Sequence, residues 1–240
     1  MLSVNNDGMQ NKAAKVAGFT FLFAMVIVVL ANYGISFRLS IPGNAVETAR
    51  NITAHETLFR LNVACNLLYG ATIGILLTAI YVILKPVNFI LALIAAFFRS
   101  VVMVMWCITA LNMLAALQLL SGKPYLNVFE VEQIQALARH HLDAGYNAYY
   151  IGLPFWTIAS TICSYLWFKS KYIPKGLAVF GIVSSLWCVF CAFVFLVYPD
   201  FQNTVHPMWF DSPMVIFEIT LGFWLLFKRL RIPEAAQTIL

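Results

Sequence analysis

Apolar residues fall in six long runs, roughly Val16–Phe37, Leu58–Leu84, Val87–Leu120, Ala148–Phe168, Gly176–Tyr198 and Pro213–Phe227, with short polar intervals between them. A bilayer crossing needs about 20 apolar residues in a helix, so the pattern predicts an all-α, polytopic membrane protein with about six transmembrane helices. These fill one transmembrane domain over residues 1–240. Lys85-Pro86 leaves almost nothing between the second and third runs, and proline is well tolerated at the first position of a helix, so these two form a tight hairpin. The third run exceeds a bilayer of about 30 Å and must tilt or project beyond it. From Asn127 to Leu142, Val128, Val131, Ile134, Ala138 and Leu142 recur at spacings of three and four with Glu130, Glu132, Gln133 and Arg139 between them, which predicts an interfacial helix between the third and fourth spans. Ile41–Thr57 reads as a loop with proline, glycine and mixed charge; its Asn51-Ile52-Thr53 sequon is read as chance. No internal repeat points to a duplicated transporter half.

Composition agrees. Hydrophobic residues are 62% of the 240 and charged residues 10%, with a mean hydropathy of +0.83, whereas soluble domains carry about 25% charged residues. The net charge of +5 does not point to nucleic acid, because Lys and Arg sit at the ends of apolar runs rather than along one basic face. With the N-terminus in the cytoplasm, the inside carries Lys12, Lys15, Lys85, Lys169, Lys171, Lys175, Lys228, Arg229 and Arg231, nine in all, against five outside: Arg38, Arg50, Arg60, Lys123 and Arg139. The positive-inside rule then predicts a multi-pass protein of the cell membrane with both termini cytoplasmic. The first run follows Lys12 and Lys15 like a signal peptide, but it is long enough to span and no A-x-A site follows, so it is expected to be retained. The five cysteines, Cys65, Cys107, Cys163, Cys188 and Cys191, all lie in apolar runs and read as small core residues rather than a disulfide framework. The C-x-x-C pair Cys188/Cys191 inside a helix of Phe, Val and Leu carries little redox or metal signal.

Five separated segments share order and spacing with a known family: E-T-L-F-R (Glu56–Arg60), L-K-P-V-N (Leu84–Asn88), A-A-F-F-R (Ala95–Arg99), K-S-K-Y-I-P-K-G-L (Lys169–Leu177) and F-E-I-T-L-G-F-W-L-L (Phe217–Leu226). In these the chain resembles the domain-of-unknown-function 4386 family of bacterial six-helix membrane proteins. The resemblance runs from the first helix to the last and implies the architecture; it brings no activity, ligand or catalytic residue. Lys175 departs from it, standing where arginine is common.

Ionisable groups inside a span cost about 2.5–3.5 kcal/mol on insertion scales, so each asks for a partner or a role. Arg99 lies about 21 Å along the third helix from the inner turn, and Glu218 about 15 Å above the inner end of the sixth. Their depths differ by about 6 Å, which two long side chains could close, so an Arg99–Glu218 ion pair is expected. If the third helix shifts outward, Arg99 instead snorkels to the surface and the pair dissolves. Asn62, Asn66 and Tyr69 share one face of the second helix, with Arg60 and Glu56 above them. Together these residues would make an outward-facing polar pocket for an anionic or amphipathic ligand; alternatively they only hold helices together, as polar side chains in membrane bundles do. His55, His140, His141 and His206 fall outside the membrane, near Glu56, Asp143, Asp200 and Asp211, but without a metal-ligand spacing. Neither a G-x-S-x-G elbow nor a phosphate-binding glycine loop is present, and no metal or cofactor is expected. Tyr125, Tyr172, Tyr198 and Trp209 read as interfacial anchors.

Three functions remain open. The chain binds or transports a small or lipid-like molecule at the polar pocket; or it is a membrane-embedded enzyme using the outer histidines and carboxylates; or it is a structural partner subunit of a membrane complex. The lipid bilayer is the one partner the residues name. Nucleic acid is not expected, and the sequence identifies no protein partner.

Overall fold

Seven α-helices account for most of the described residues of the computed structural model, which describes residues 2–206, 209–228 and 230. They are α1 (Leu2–Val29, carried on by a π-helical stretch Leu30–Ser36 and a turn Phe37–Leu39), α2 (Ala45–Ala54), α3 (Glu56–Leu84), α4 (Phe89–Leu119), α5 (Val131–Ser170), α6 (Lys175–Val197) and α7 (Ser212–Phe227). Five stretches are long and apolar enough to cross a membrane: Gly8–Leu39, α3, α4, α5 and α6. The sixth apolar helix, α7, is shorter, at 16 residues. The chain is therefore an all-α polytopic membrane protein. Two expected basic groups of the inner side, Arg229 and Arg231, lie outside the described residues.

Three boundaries differ from the sequence expectation, each for a local reason. The amphipathic segment ahead of the fourth span is helical as predicted, but it is continuous with that span in the 40-residue α5. Polar residues at the join do not break it, because Arg139 and Asp143 pair at i,i+4 (2.9 Å) on the helix itself. The loop Ile41–Thr57 contains α2, started by Asn44, whose Oδ1 accepts from the Glu47 backbone N–H at 2.9 Å. Pro86 sits in the turn between α3 and α4 rather than at a helix start, and Asn88 caps α4 by accepting from Leu91 N–H at 2.9 Å.

Two compact units are present. The first comprises residues up to Ala24, Thr72–Val102 and the chain from Gly152 on; the second comprises Met25–Ala71 and Met103–Ile151.

In the first unit, helices approach closely through small residues, the usual device where lipid supplies no hydrophobic drive for helix association. A Cβ added at Gly18 of α1 would sit 2.7 Å from the Gly222 carbonyl oxygen of α7. One at Gly181 of α6 would meet the Phe217 ring at 2.6 Å and Ser164 Oγ at 2.9 Å. Leu166, Trp167, Ile173, Cys188, Leu221 and Leu225 fill the interior. The ends are tied by Gln10 donating to the Ile83 carbonyl (3.0 Å) and by Leu230 N–H donating to Asn11 Oδ1 (3.2 Å).

In the second unit, Ile35, Leu39, Ile52, Phe59, Val63, Ala110, Met113, Leu117 and Leu142 form one apolar core. Arg139 reaches over it to donate to the Ile41 carbonyl at 3.2 Å. Here α2 lies with Thr48, Ala49 and Ile52 buried and its Glu47–Arg50 pair exposed.

A candidate polar site within the membrane helices

Arg99 is 4% exposed, so it does not snorkel; its guanidinium is held inside the first unit. Nη2 donates to Ser160 Oγ over a long 3.4 Å, the Cys163 thiol lies alongside, and Nε has no partner. Ser160, Cys163 and Ser164 follow at i, i+3 and i+4 on α5 and all are buried, so one face of that helix is hydroxyl and thiol where it meets the arginine. Ser164 Oγ and, on α6, Ser184 Oγ are also buried without a partner. Native proteins leave few such groups.

The expected Arg99–Glu218 ion pair is not made. The salt bridges among the described residues are Glu47–Arg50, Glu56–Arg60 and Arg139–Asp143, and neither Arg99 nor Glu218 is in one. Glu218 is partly buried on α7 and lies within electrostatic reach of Arg99, while the Trp156 indole N–H is directed to its carboxylate. Each helix ridge sets its own side chain, and the Ser160–Ser164 face of α5 takes the guanidinium that simple depth matching assigned to the glutamate. Next to Arg99 is a crevice of about 10 Å³, room for about one water, lined by Leu77, Ile80, Leu84, Ala92, Ala95 and Cys163 among others.

The other expected residues belong to the second unit and make their own network there. Asn62 Nδ2 donates to Ser36 Oγ at 2.8 Å, and Asn66 Nδ2 donates to the Asn62 carbonyl at 2.8 Å and to Asn62 Oδ1 at 3.2 Å. Both amides are buried. Tyr69, one turn on, packs edge-on to Trp106 (centroids 4.5 Å), which packs in turn on Tyr149 (6.0 Å). Arg60 and Glu56 pair with each other at 2.7 Å on the exposed surface. Sequence reasoning did not find Trp156, Ser160, Cys163 or Ser164; hydroxyls in an apolar run are individually silent, and only their helical spacing could have shown them.

The profile of the family described as Domain of unknown function (DUF4386) matches residues 16–228. The chain belongs to this family. The match spans both units and every candidate residue, in agreement with the five motifs that carry the resemblance. No curated protein and no solved structure matches the chain. For this DUF4386 member the description of the site therefore rests on its own geometry. On α5, His141 Nδ1 lies 3.2 Å from Asn112 Oδ1 and its ring packs edge-on to His140. Among the described residues no three His, Cys, Asp or Glu side chains gather as a metal site would require.

Proposed function

We propose that the chain is a multi-pass protein of the cell membrane, with both termini cytoplasmic, that binds or moves a small or lipid-like anionic molecule at Arg99. The observation that carries this reading is the buried guanidinium: it lies in a membrane helix, bonds to Ser160 over a long 3.4 Å and to the Cys163 thiol, leaves Nε unpartnered, and is not neutralised by a direct ion pair. A cation retained at such a cost has use for an anion. Glu218 balances its charge at a distance, so the resting site is neutral overall yet keeps donors free for a ligand. The amides at Asn62 and Asn66, by contrast, are satisfied and serve packing. The lysine-rich turn Lys169–Lys175 and the Lys/Arg-free segment Pro199–Ser212 support the orientation.

Thermal unfolding of the detergent-solubilised protein against a panel of lipids and small anions tests the reading. A compound that raises the midpoint of the wild type and not of Arg99→Ala is the expected result. A panel that stabilises both alike, or neither, leaves Arg99 as a packing element and overturns it.

A further inference from the structure

We infer that Glu218 takes up a proton when an anion occupies Arg99. The inference deepens the binding reading above and rests on it for the anion.

The helix also sets Asp211 where its charge is felt at Glu218. Asp211 precedes α7 in right-handed helical geometry (φ −92°, ψ −2°), and its carbonyl accepts from Val215 N–H at 2.8 Å, so the helical register already includes it. Seven residues are nearly two turns, which sets Asp211 and Glu218 on one face about 10.5 Å apart along the axis. Asp211 does not spend its carboxylate on capping the helix. Burial pushes its carboxyl up to about 6, so it exchanges protons near neutral pH. Glu218 faces Arg99 from α4, Cys163 and the Trp156 indole from α5, and Cys188 from α6. Against α1, α7 packs on Gly18 and Phe21, and the lysines of that helix, Lys12 and Lys15, are turned to the exposed side. Arg99 is thus the one fixed positive charge near Glu218 among these neighbours.

The charge balance links proton and anion. A Glu218 Oε takes a proton from the solvent and becomes a neutral carboxyl. Neutral Glu218 leaves the guanidinium uncompensated, so the net charge of the pair rises from zero to +1, and a monovalent anion restores zero. No electron moves and no covalent bond other than O–H is made or broken. By linkage, the anion and the proton strengthen each other's binding by the same factor.

The test is infrared titration of the protonated-carboxyl band in the full chain, reconstituted in phosphatidylcholine vesicles, from about pH 4 to about pH 9. Chloride and thiocyanate serve as carboxyl-free anion probes. The expected result is a titrating band component that Glu218→Gln removes. Asp211→Asn should move that component by about one pH unit, the Coulomb effect of one charge at this separation with an effective dielectric near 20. If Glu218→Gln does not reconstitute, Trp156→Phe replaces it, and removal of an N–H directed to the carboxylate must displace the same component. A band unchanged by these variants means that Glu218 stays ionised against Arg99, and overturns the proton site whatever the ligand panel finds. A Glu218 band that titrates but ignores both anions overturns the coupling to anions and leaves a proton site alone.

Discussion

The two units differ in whether every buried polar group finds a partner. In the second, Ser36, Asn62 and Asn66 close a chain of hydrogen bonds at 2.8–3.2 Å, and Thr109 donates to the Gly145 carbonyl at 3.0 Å. In the first, Arg99 Nε, Ser164 Oγ and Ser184 Oγ are buried with nothing to bond. A satisfied network fixes one packing arrangement, whereas a buried polar group without a partner carries its desolvation cost uncompensated. Polarity within a membrane helix is therefore not in itself the signature of a site. The deficit of partners is.

The largest test of this contrast is Arg99→Ala, which removes the buried side chain and its bond to Ser160 and should destabilise by about 1.5–3 kcal/mol, measured as the thermal midpoint in detergent. Arg99→Ala/Glu218→Ala should cost less than the sum of the single variants; additive losses would show the two residues to be uncoupled. Next, Gly181→Ala drives a methyl into the Phe217 ring and Ser164 Oγ and should cost about 1–3 kcal/mol, with the loss read in the same assay. In the other unit, Asn62→Ala removes the bond to Ser36, and its cost should stay within about 0.6–1.7 kcal/mol, the range of hydrogen bonds between membrane helices. Ser164→Ala discards a hydroxyl that bonds to nothing and should be close to neutral, while Ser36→Ala should cost about 0.6 kcal/mol. Were Ser164→Ala the more damaging of the two, the proposed contrast would fail.

A further effect is in pH. The Asp211 carboxyl is raised in the folded protein from its ordinary 3.8 to about 6, so the native state binds more protons than the unfolded one in that interval. Stability should fall as pH rises from 3.8 to about 6 and stay level above, and Asp211→Asn should flatten this slope in a pH series of unfolding midpoints.

The helices were legible because lipid imposes long apolar runs, and Arg99 and Glu218 because charge interrupts such runs visibly. The same logic placed Asn62, Asn66 and Tyr69 on one face, where Asn62 and Asn66 are bonded to each other and Tyr69 packs on Trp106. What escaped was decided across helices. The Ser160–Cys163–Ser164 face competes with Glu218 for the guanidinium, and no spacing within α4 or α7 records it. The continuity of α5 escaped for a different reason: Asp143, Gly145 and Asn147 look like a break between two helices until the Arg139–Asp143 pair shows how one helix carries them. The short α2 was hidden by the proline and glycine ahead of it, although Asn44 with Glu47 three residues on is a start signal.

The π-helical stretch Leu30–Ser36 sets the phase of everything after it in α1. Wider turns absorb what amounts to an inserted residue without a break in the backbone ladder, and one residue of α-helix is worth about 100° of rotation. Ser36 faces Asn62 only by virtue of that surplus. Deleting one residue from the stretch would leave a sound, regular helix and an equally apolar one, yet would swing its last turn about a quarter of the way round and strand the serine.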